Sequence, residues 1–260
     1  MEHGKTRQNG QLQRGLEDRA AATWDSPVWR VTGARYWCHL LLPAAALVLA
    51  GLGALAIDVP LSRRAIATSY PTAFRELLEM SETFGHGVGV AMLALAVYSL
   101  DPGRRRLVPR LLIVTYGAGL AANLGKMVLA RTRPPGFDLA AGDVWQTFGG
   151  WFRFGEGGNL HQSFPSAHTA TAVGFALLLS SLYPHARRLF IALAVLVASQ
   201  RLQCGAHFLS DICAGAAAGW LVTVGSFHFT PFSRLMDRLE ARRAGQDVQE
   251  PEHVARQKVA

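Results

Sequence analysis

The sequence predicts an all-α fold, a bundle of six transmembrane helices. Half of its 260 residues are hydrophobic, 17% are charged and the mean hydropathy is positive, at +0.17. The segment Leu40–Ile57 runs for eighteen residues without a charge, about the length that a helix needs to cross a bilayer. Together with five further blocks rich in Ala, Leu, Val and Gly, it gives the predicted spans Leu40–Ile57, Gly85–Leu100, Leu111–Leu129, Thr169–Tyr183, Leu189–Gln200 and Ile212–Phe229.

Several of these blocks are shorter than eighteen residues, so buried helices of a water-soluble domain are the alternative. We disfavour that alternative because no amphipathic helices remain to cover such a core. The predicted membrane domain covers residues 36–230. Residues 1–35 are predicted to be a disordered basic tail, too long a leader for a cleaved signal peptide, and residues 231–260 a second basic tail.

The formal net charge is +8, and the positive residues alternate between the predicted loops. With the N-terminus in the cytoplasm, eighteen Lys and Arg residues lie in the tails and loops on that side and six on the other side. Because positive residues mark cytoplasmic loops, both termini are expected in the cytoplasm, with the chain in the inner or cell membrane. The C-terminal segment RLMDRLEARR is then interpreted as a solvated or headgroup-facing helix, and nucleic acid is disfavoured as a partner.

Two long segments are expected on the outer side. The first contains a short helix at Pro71–Met80 that is predicted to lie on the membrane surface. The second, residues 132–164, is rich in glycine and aromatic residues. Its aromatics are interpreted as a belt at the headgroup level or as the wall of a lipid pocket, and the belt is preferred. These aromatics are Trp145, Phe148, Trp151 and Phe154.

Ionisable residues gather at the ends of several predicted spans, although such residues are costly near a membrane. Threading the helices up and down places all of them at the outer face, so that segments distant in sequence converge there. Lys and Arg offer charge and N–H donors to an oxyanion. The cluster comprises Lys126, Arg131, Arg133, His168, Arg201, His207 and Asp211.

The two histidines of the cluster can divide the roles of nucleophile and general acid. His207 and Asp211 are spaced i and i+4, so we expect them on one helix face. There the carboxylate can hold one imidazole nitrogen and leave the other free to attack. These residue types indicate phosphoryl transfer through a phosphohistidine.

Three motifs contain these residues: KMVLARTRP from Lys126, PSAH from Pro165 and RLQCGAHFLSD from Arg201. In this order they resemble the motifs of the type-2 phosphatidic acid phosphatase superfamily, which includes vanadium-dependent haloperoxidases, over about residues 36–230. The resemblance implies a helical bundle of the lipid phosphatase and haloperoxidase type with an outer-face site, and no metal or other cofactor. It also implies His207 as nucleophile, Asp211 as its orienting partner, His168 as general acid, and Lys126, Arg133, Arg201, Ser166 and the backbone N–H of Ala167 as phosphate ligands.

The chain departs from that pattern at two positions. Ala167 stands where the family usually has Gly, which keeps the backbone N–H but adds a methyl group. Gln200 precedes Arg201 where the family usually has Ser, and Ser199 lies one residue earlier. A shift of one residue turns a helical side chain by about 100°, so Ser199 is disfavoured as a phosphate ligand.

Some residues near the motifs have simpler interpretations. Arg131 is interpreted as a residue that extends to the headgroups. His86, in FGHGVG, faces the same end and can line a pocket, but a structural role is preferred. No role is assigned to Cys38, Cys204 or Cys213, whose spacing fits neither a metal site nor an even-numbered disulfide framework.

The leading functional hypothesis is an integral membrane phosphatase that acts on a lipid phosphate or diphosphate at the outer face. Phosphatidate, phosphatidylglycerol phosphate, undecaprenyl diphosphate and a lipid A phosphate are the candidate substrates. A lipid phosphotransferase that uses the same site is the first alternative. A non-enzymatic anion transporter or scaffold is the second, although the internal repeats and broken helices frequent in transporters are not evident.

Overall fold

The computed structural model describes Trp24 and residues 34–152, 158–229 and 231–243. Three predictions concern residues outside these ranges. They are the disorder of the N-terminal tail, the second tail over residues 244–260, and the role of Phe154. The described chain is mostly helical. Its helices are α1 (Ala34–Ala54), α2 (Asp58–Ala67), α3 (Thr72–Ser81), α4 (Gly87–Leu100), α5 (Val108–Val128), α6 (Ala167–Leu182), α7 (Arg187–Gln203), α8 (Leu209–His228) and α9 (231–243).

Each of the six predicted blocks is helical, but fewer than six of the helices are long and apolar enough to cross a membrane. Within the described residues, Trp37–Ala54, Pro102–Val128 and Leu209–His228 are long and apolar enough to cross a membrane. The pair Thr72–Phe84 and Gly87–Leu100, bent by 72°, gives a fourth span if it is counted as one. Helix α6 has only 16 residues and α7 has 17, so the count of six spans stays a prediction.

Helix α6 lies at the centre of the bundle and packs against α5, α7 and α8. Its Phe175 and Leu178 are fully buried in the apolar core, together with Val197 of α7. Helix α8 approaches α6 closely because Gly215 and Gly219 face its backbone, where a Cβ atom would collide with the carbonyl oxygens of Ser166 and Ala170. This contact brings the beginning of α8 against the beginning of α6.

A small antiparallel sheet interrupts the predicted all-α architecture. Strand β1 (Leu129–Arg131) follows directly from α5 and pairs with β2 (Phe148–Trp151) of the aromatic segment. Helix α2 was not predicted either, whereas the predicted helix at Pro71–Met80 is present as α3. The sheet and α2 cover the end of the bundle at which α6 and α8 begin.

The C-terminal helix α9 is anchored at the opposite end. The buried Arg110 of α5 forms an ion pair with Asp237 and another, of 3.0 Å, with Glu240. The Trp24 indole also donates to Glu240, over 3.3 Å. The two ends of the bundle therefore differ: ion pairs attach a helix at one end, and the predicted ionisable cluster lies at the other.

Candidate active site

His207 and Asp211 lie side by side at the beginning of α8. The distance from His207 Nδ1 to Asp211 Oδ2 is 3.7 Å, and both side chains are buried. The expectation that they share a helix face is wrong, because α8 begins at Leu209 and His207 precedes it. They meet because Asp211 turns back over the helix N-terminus, where its Oδ2 accepts the N–H of Phe208 over 2.9 Å.

Two side chains from distant segments also donate to the carboxylate of Asp211. Its Oδ1 accepts from Nη1 of Arg131 over 2.5 Å, and its Oδ2 accepts from the hydroxyl of Ser163 over 2.6 Å. The backbone of Asp211 also anchors the neighbouring helix, since its carbonyl accepts the N–H of Ser166 over 3.0 Å. The carboxylate beside His207 therefore has a fixed orientation.

Arg131 does not extend to the headgroups, and that interpretation is wrong. Its side chain is fully buried, and Nη2 donates to Asp58 Oδ2 over 2.8 Å. The guanidinium lies between the rings of Phe148 and Phe208, 4.5 and 4.3 Å from their centroids. Phe148 thus covers a buried cation, whereas Trp145 and Trp151 of the same segment are exposed.

Asp58 completes a buried network of one guanidinium and two carboxylates. Its Oδ1 accepts the N–H of Ser210 over 3.0 Å, and its Oδ2 accepts the hydroxyl of Ser210. The third nitrogen of the Arg131 guanidinium, Nε, donates to the hydroxyl oxygen of Thr147 over 3.0 Å. A buried charge is tolerated when it is paired and hydrogen-bonded, and each charge of this network is.

Arg201 has a carboxylate partner that the sequence did not indicate. Its Nη2 lies 2.5 Å from Glu82 Oε2, and its Nε is hydrogen-bonded to the side-chain oxygen of Gln200. The amide nitrogen of Gln200 donates to the same Glu82 oxygen over 3.3 Å. Gln200 therefore joins Arg201 to Glu82. Ser199 is exposed and donates to the Val195 carbonyl over 2.9 Å, away from this cluster.

Lys126 and Arg133 are half-buried cations without such a partner. In the described part of the chain, neither has a carboxylate oxygen within 4.0 Å. Arg133 Nε is buried without a hydrogen bond there, and Nη2 reaches only the Gln162 carbonyl, at 3.5 Å. Burial, and after it the charge of Arg201, lowers the pKa of Arg133. The two side chains form a positive region suited to an anion.

The beginning of α6 contributes the other predicted ligands. Ser166 is the N-cap, and its buried Oγ accepts from the N–H and the hydroxyl of Thr169, over 3.4 and 3.0 Å. Because Oγ accepts both bonds, its own proton is free for another acceptor. Ala167 is the first residue of the helix, and His168 Nε2 lies 3.5 Å from Glu82 Oε1.

The predicted site residues converge in one region. His207 interacts electrostatically with Asp211, Arg133 and Lys126, and His168 interacts with Arg201 and His207. Burial lowers the pKa of His207 below its usual value, although Asp211 acts in the opposite direction. The imidazole beside the cations is therefore neutral near pH 7, as a nitrogen nucleophile has to be.

Asp58, Glu82 and Ser163 were missed from the sequence, although one signal was available. Several cations were predicted at one end of the bundle with a single carboxylate, Asp211, and buried cations require counter-charges. Asp58 directly follows the first predicted span, and Glu82 precedes the second. Within the described residues, no group of three or more His, Cys, Asp or Glu side chains could hold a metal ion.

A cleft opens beside His168 between α4, α5 and α6. Its volume is about 340 Å³, and His168, Ala167 and Thr171 of α6 form one wall. The other walls come from Gly85, His86 and Gly87 at the beginning of α4 and from Tyr116, Gly119, Leu120 and Asn123 of α5.

A buried His–Asp pair beside unpaired cations, at one end of a bundle with membrane-length helices, has the composition of a phosphoryl-transfer site. Residues 107–235 match the PAP2 superfamily. A lipid A 1-phosphatase of Rhizobium etli is 31% identical over 186 residues, which cover 65% of this chain and 75% of that protein. A lipid A 1-phosphatase of Rhizobium johnstonii is 29% identical over 184 residues, covering 65% and 71%.

Among solved structures, the PAP2 type phosphatidylglycerolphosphate phosphatase from Bacillus subtilis is similar to this chain. The match has a TM-score of 0.49 and 21% identity, and it covers 71% of this chain and 95% of that one. The chain belongs to the PAP2 superfamily, as the three motifs indicated, and it is a membrane phosphatase. The transporter or scaffold alternative is therefore set aside.

Proposed function

We propose that this membrane lipid phosphatase removes the 1-phosphate of a lipid A-type glycolipid through a phosphohistidine at His207. The observation that carries the proposal is the His207–Asp211 pair, 3.7 Å apart and facing unpaired cations. The substrate is suggested by the two Rhizobium relatives, which are both named lipid A 1-phosphatases. Phosphatidate, phosphatidylglycerol phosphate and undecaprenyl diphosphate are the competing substrates.

In this proposal the phosphate binds between the cations. Lys126 and Arg133 have N–H donors to offer, and Arg201 is already oriented by Glu82 and Gln200. Ser166 donates its free hydroxyl proton, and the N–H of Ala167 points from the helix N-terminus, where anions bind favourably. The positive charges stabilise the additional negative charge that develops on the phosphoryl oxygens in the transition state.

Two chemical steps follow. Nε2 of neutral His207 attacks phosphorus and forms the N–P bond, while the P–O bond to the lipid breaks. His168 enters this step protonated, gives its extra proton to the leaving oxygen and becomes neutral. Asp211 stabilises the positive charge that His207 acquires. His168 then takes a proton from water, whose oxygen attacks phosphorus, and the N–P bond breaks to release phosphate. General acid–base assistance of this kind contributes about 10²–10⁴-fold.

We also propose that the site faces the periplasm or the outside and that both termini are cytoplasmic. The distribution of Lys and Arg between loops supports this orientation. The site lies near the C-terminal end of α1, which is followed by Asp58. In this orientation that end is on the outer side, and the N-terminal end of α1 is on the cytoplasmic side. Cys204, close to the site, is exposed, and so is His185 in the segment between α6 and α7 at the opposite end of the bundle, so that Cys204 and a cysteine introduced by His185→Cys report on opposite faces.

The activity test compares phosphate release by detergent-purified wild type, His207→Ala and His168→Ala from the four candidate lipids. We expect lipid A 1-phosphate to have the highest kcat/KM and each substitution to reduce release at least tenfold. Preference for another lipid would refute the substrate, and full activity of His207→Ala would refute the mechanism.

The topology test uses two single-cysteine variants in intact cells and a thiol reagent that does not cross membranes. We expect Cys204 to be labelled and the thiol introduced by His185→Cys to be protected until the cells are lysed. The reverse pattern would place the site in the cytoplasm.

A further inference from the structure

The cleft beside His168 has polar side chains on two of its walls, His86 at the beginning of α4 and Asn123 of α5. We propose that it binds the leaving group of the substrate and that His86 and Asn123 select lipids with hydrogen-bond acceptors next to the phosphate. This inference rests on the proposed function, because it assigns the part of the lipid that remains after phosphate transfer.

The position of His168 assigns the occupant of the cleft. A general acid has to lie within about 2.6–3.2 Å of the oxygen that it protonates. His168 forms part of the cleft wall, and the cations of the site attract the phosphate, so the alcohol portion of the lipid extends into the cleft. Tyr116 and Leu120, which are both exposed, continue the cleft along the membrane-length helix α5, away from Lys126.

Asn123 is a polar residue in a membrane-length helix. It lies three residues before Lys126, about 4.5 Å along the helix axis, and it is exposed. In the part of the chain that the structure describes, its side-chain amide makes no hydrogen bond. An unpartnered amide is unfavourable in a membrane, and polar residues in membrane-length helices usually have a functional reason. A substrate carbonyl or hydroxyl group supplies the missing partner.

His86 supplies a second donor on the facing wall. Its Nδ1 accepts the backbone N–H of Val88 over 3.3 Å and so caps α4. With Nδ1 as acceptor, Nε2 carries the proton of the neutral ring and can donate. The His86 ring centroid lies 5.9 Å from that of His168. Donors from α4 and α5 thus flank the group that protonates the leaving oxygen.

The chemical class of the lipid follows from these donors. Acylated sugar phosphates and glycerolipid phosphates have ester or amide carbonyls and hydroxyls within a few bonds of the phosphate. Alkyl and prenyl phosphates have only hydrocarbon there and leave the donors unpaired. A site with hydrogen-bonding groups rejects ligands that lack the matching groups more strongly than an apolar site does.

The test measures two variants on two substrates in detergent micelles. Asn123→Leu keeps the side-chain size and removes the amide, and His86→Ser keeps an N-cap residue and removes the imidazole donor. The substrates are dioleoyl phosphatidate, which has acyl carbonyls, and hexadecyl phosphate, which has none. Where hexadecyl phosphate is bound without turnover, its inhibition constant replaces kcat/KM. Leu124→Ala, at an exposed neighbour outside the cleft, is the control for altered lipid packing.

We expect each cleft variant to lower kcat/KM for dioleoyl phosphatidate about three- to tenfold, which is the effect of losing one hydrogen bond. For hexadecyl phosphate, each variant should change the measured value less than about twofold, because this lipid has no acceptor for that hydrogen bond. Equal losses on both substrates, or no loss on phosphatidate in either variant, would overturn the inference. His207→Ala is measured in parallel. If it abolishes activity while the cleft variants are neutral, the cleft assignment fails and the proposed function stands; if it remains active, the proposed function itself fails.

Discussion

Replacing Arg131 with Met tests whether the buried ion network holds the site together. The substitution keeps much of the side-chain volume but removes the charge from between Asp58 and Asp211, whose carboxylates lie 2.8 and 2.5 Å from the guanidinium. Removing one member of a buried ion pair costs about 3–5 kcal/mol, because the remaining charge stays buried without compensation. Here two carboxylates lose their partner, so the free energy of unfolding is expected to fall by at least this amount.

The matched control is Arg64→Met, at an exposed arginine of α2, where a surface substitution changes stability by about 0.5 kcal/mol or less. The assay is denaturant-induced unfolding of the purified proteins in one detergent. The double variant Asp58→Asn/Arg131→Met removes one carboxylate charge together with the cation and should recover part of the loss. If Arg131→Met is no more destabilising than Arg64→Met, the buried network does not stabilise the fold.

Three further predictions concern activity. First, burial lowers the pKa of His207, so its neutral form persists at lower pH. The acid limb of the profile of kcat/KM against pH should therefore have its midpoint below about pH 6.5. A midpoint at or above that value would contradict the assignment of His207 as the nucleophile. Ala167→Gly should change kcat/KM by no more than a few-fold if the phosphate uses only the backbone N–H, whereas a loss of a hundredfold would assign a role to the methyl group. Gln200→Ala should raise KM about tenfold, because Arg201 loses a hydrogen bond to its charged group, while Ser199→Ala should leave KM within twofold; equal effects would refute the bridging role of Gln200.

The helices were predictable because long apolar segments have few alternatives in a bilayer. Hydropathy located α5 and α8 with boundaries within three residues, and α1 with a beginning six residues too late. The short α6 shows the limit of this approach. It is surrounded by other helices, so its length reflects packing inside the bundle more than the thickness of the membrane.

The convergence of the motif residues was also predictable, since their spacing placed them at one end of the bundle. Their partners were not. Arg131 was interpreted as a headgroup-facing residue, yet α2 brings Asp58 to it from 73 residues away. Glu82 reaches Arg201 from the segment between α3 and α4. Such pairs depend on how segments pack in three dimensions, and hydropathy and local spacing contain no information on that packing.

The most direct test of the phosphohistidine at His207 is chemical trapping of the phosphoenzyme. Wild type and His207→Ala are mixed with a ³²P-labelled lipid phosphomonoester, quenched within the first turnover, and separated under alkaline conditions, which preserve phosphohistidine. We expect label on wild type that is stable to alkali and lost in acid, and none on His207→Ala. Label retained by His207→Ala, or label on wild type that is stable in acid, would contradict the assignment of His207 as the nucleophile.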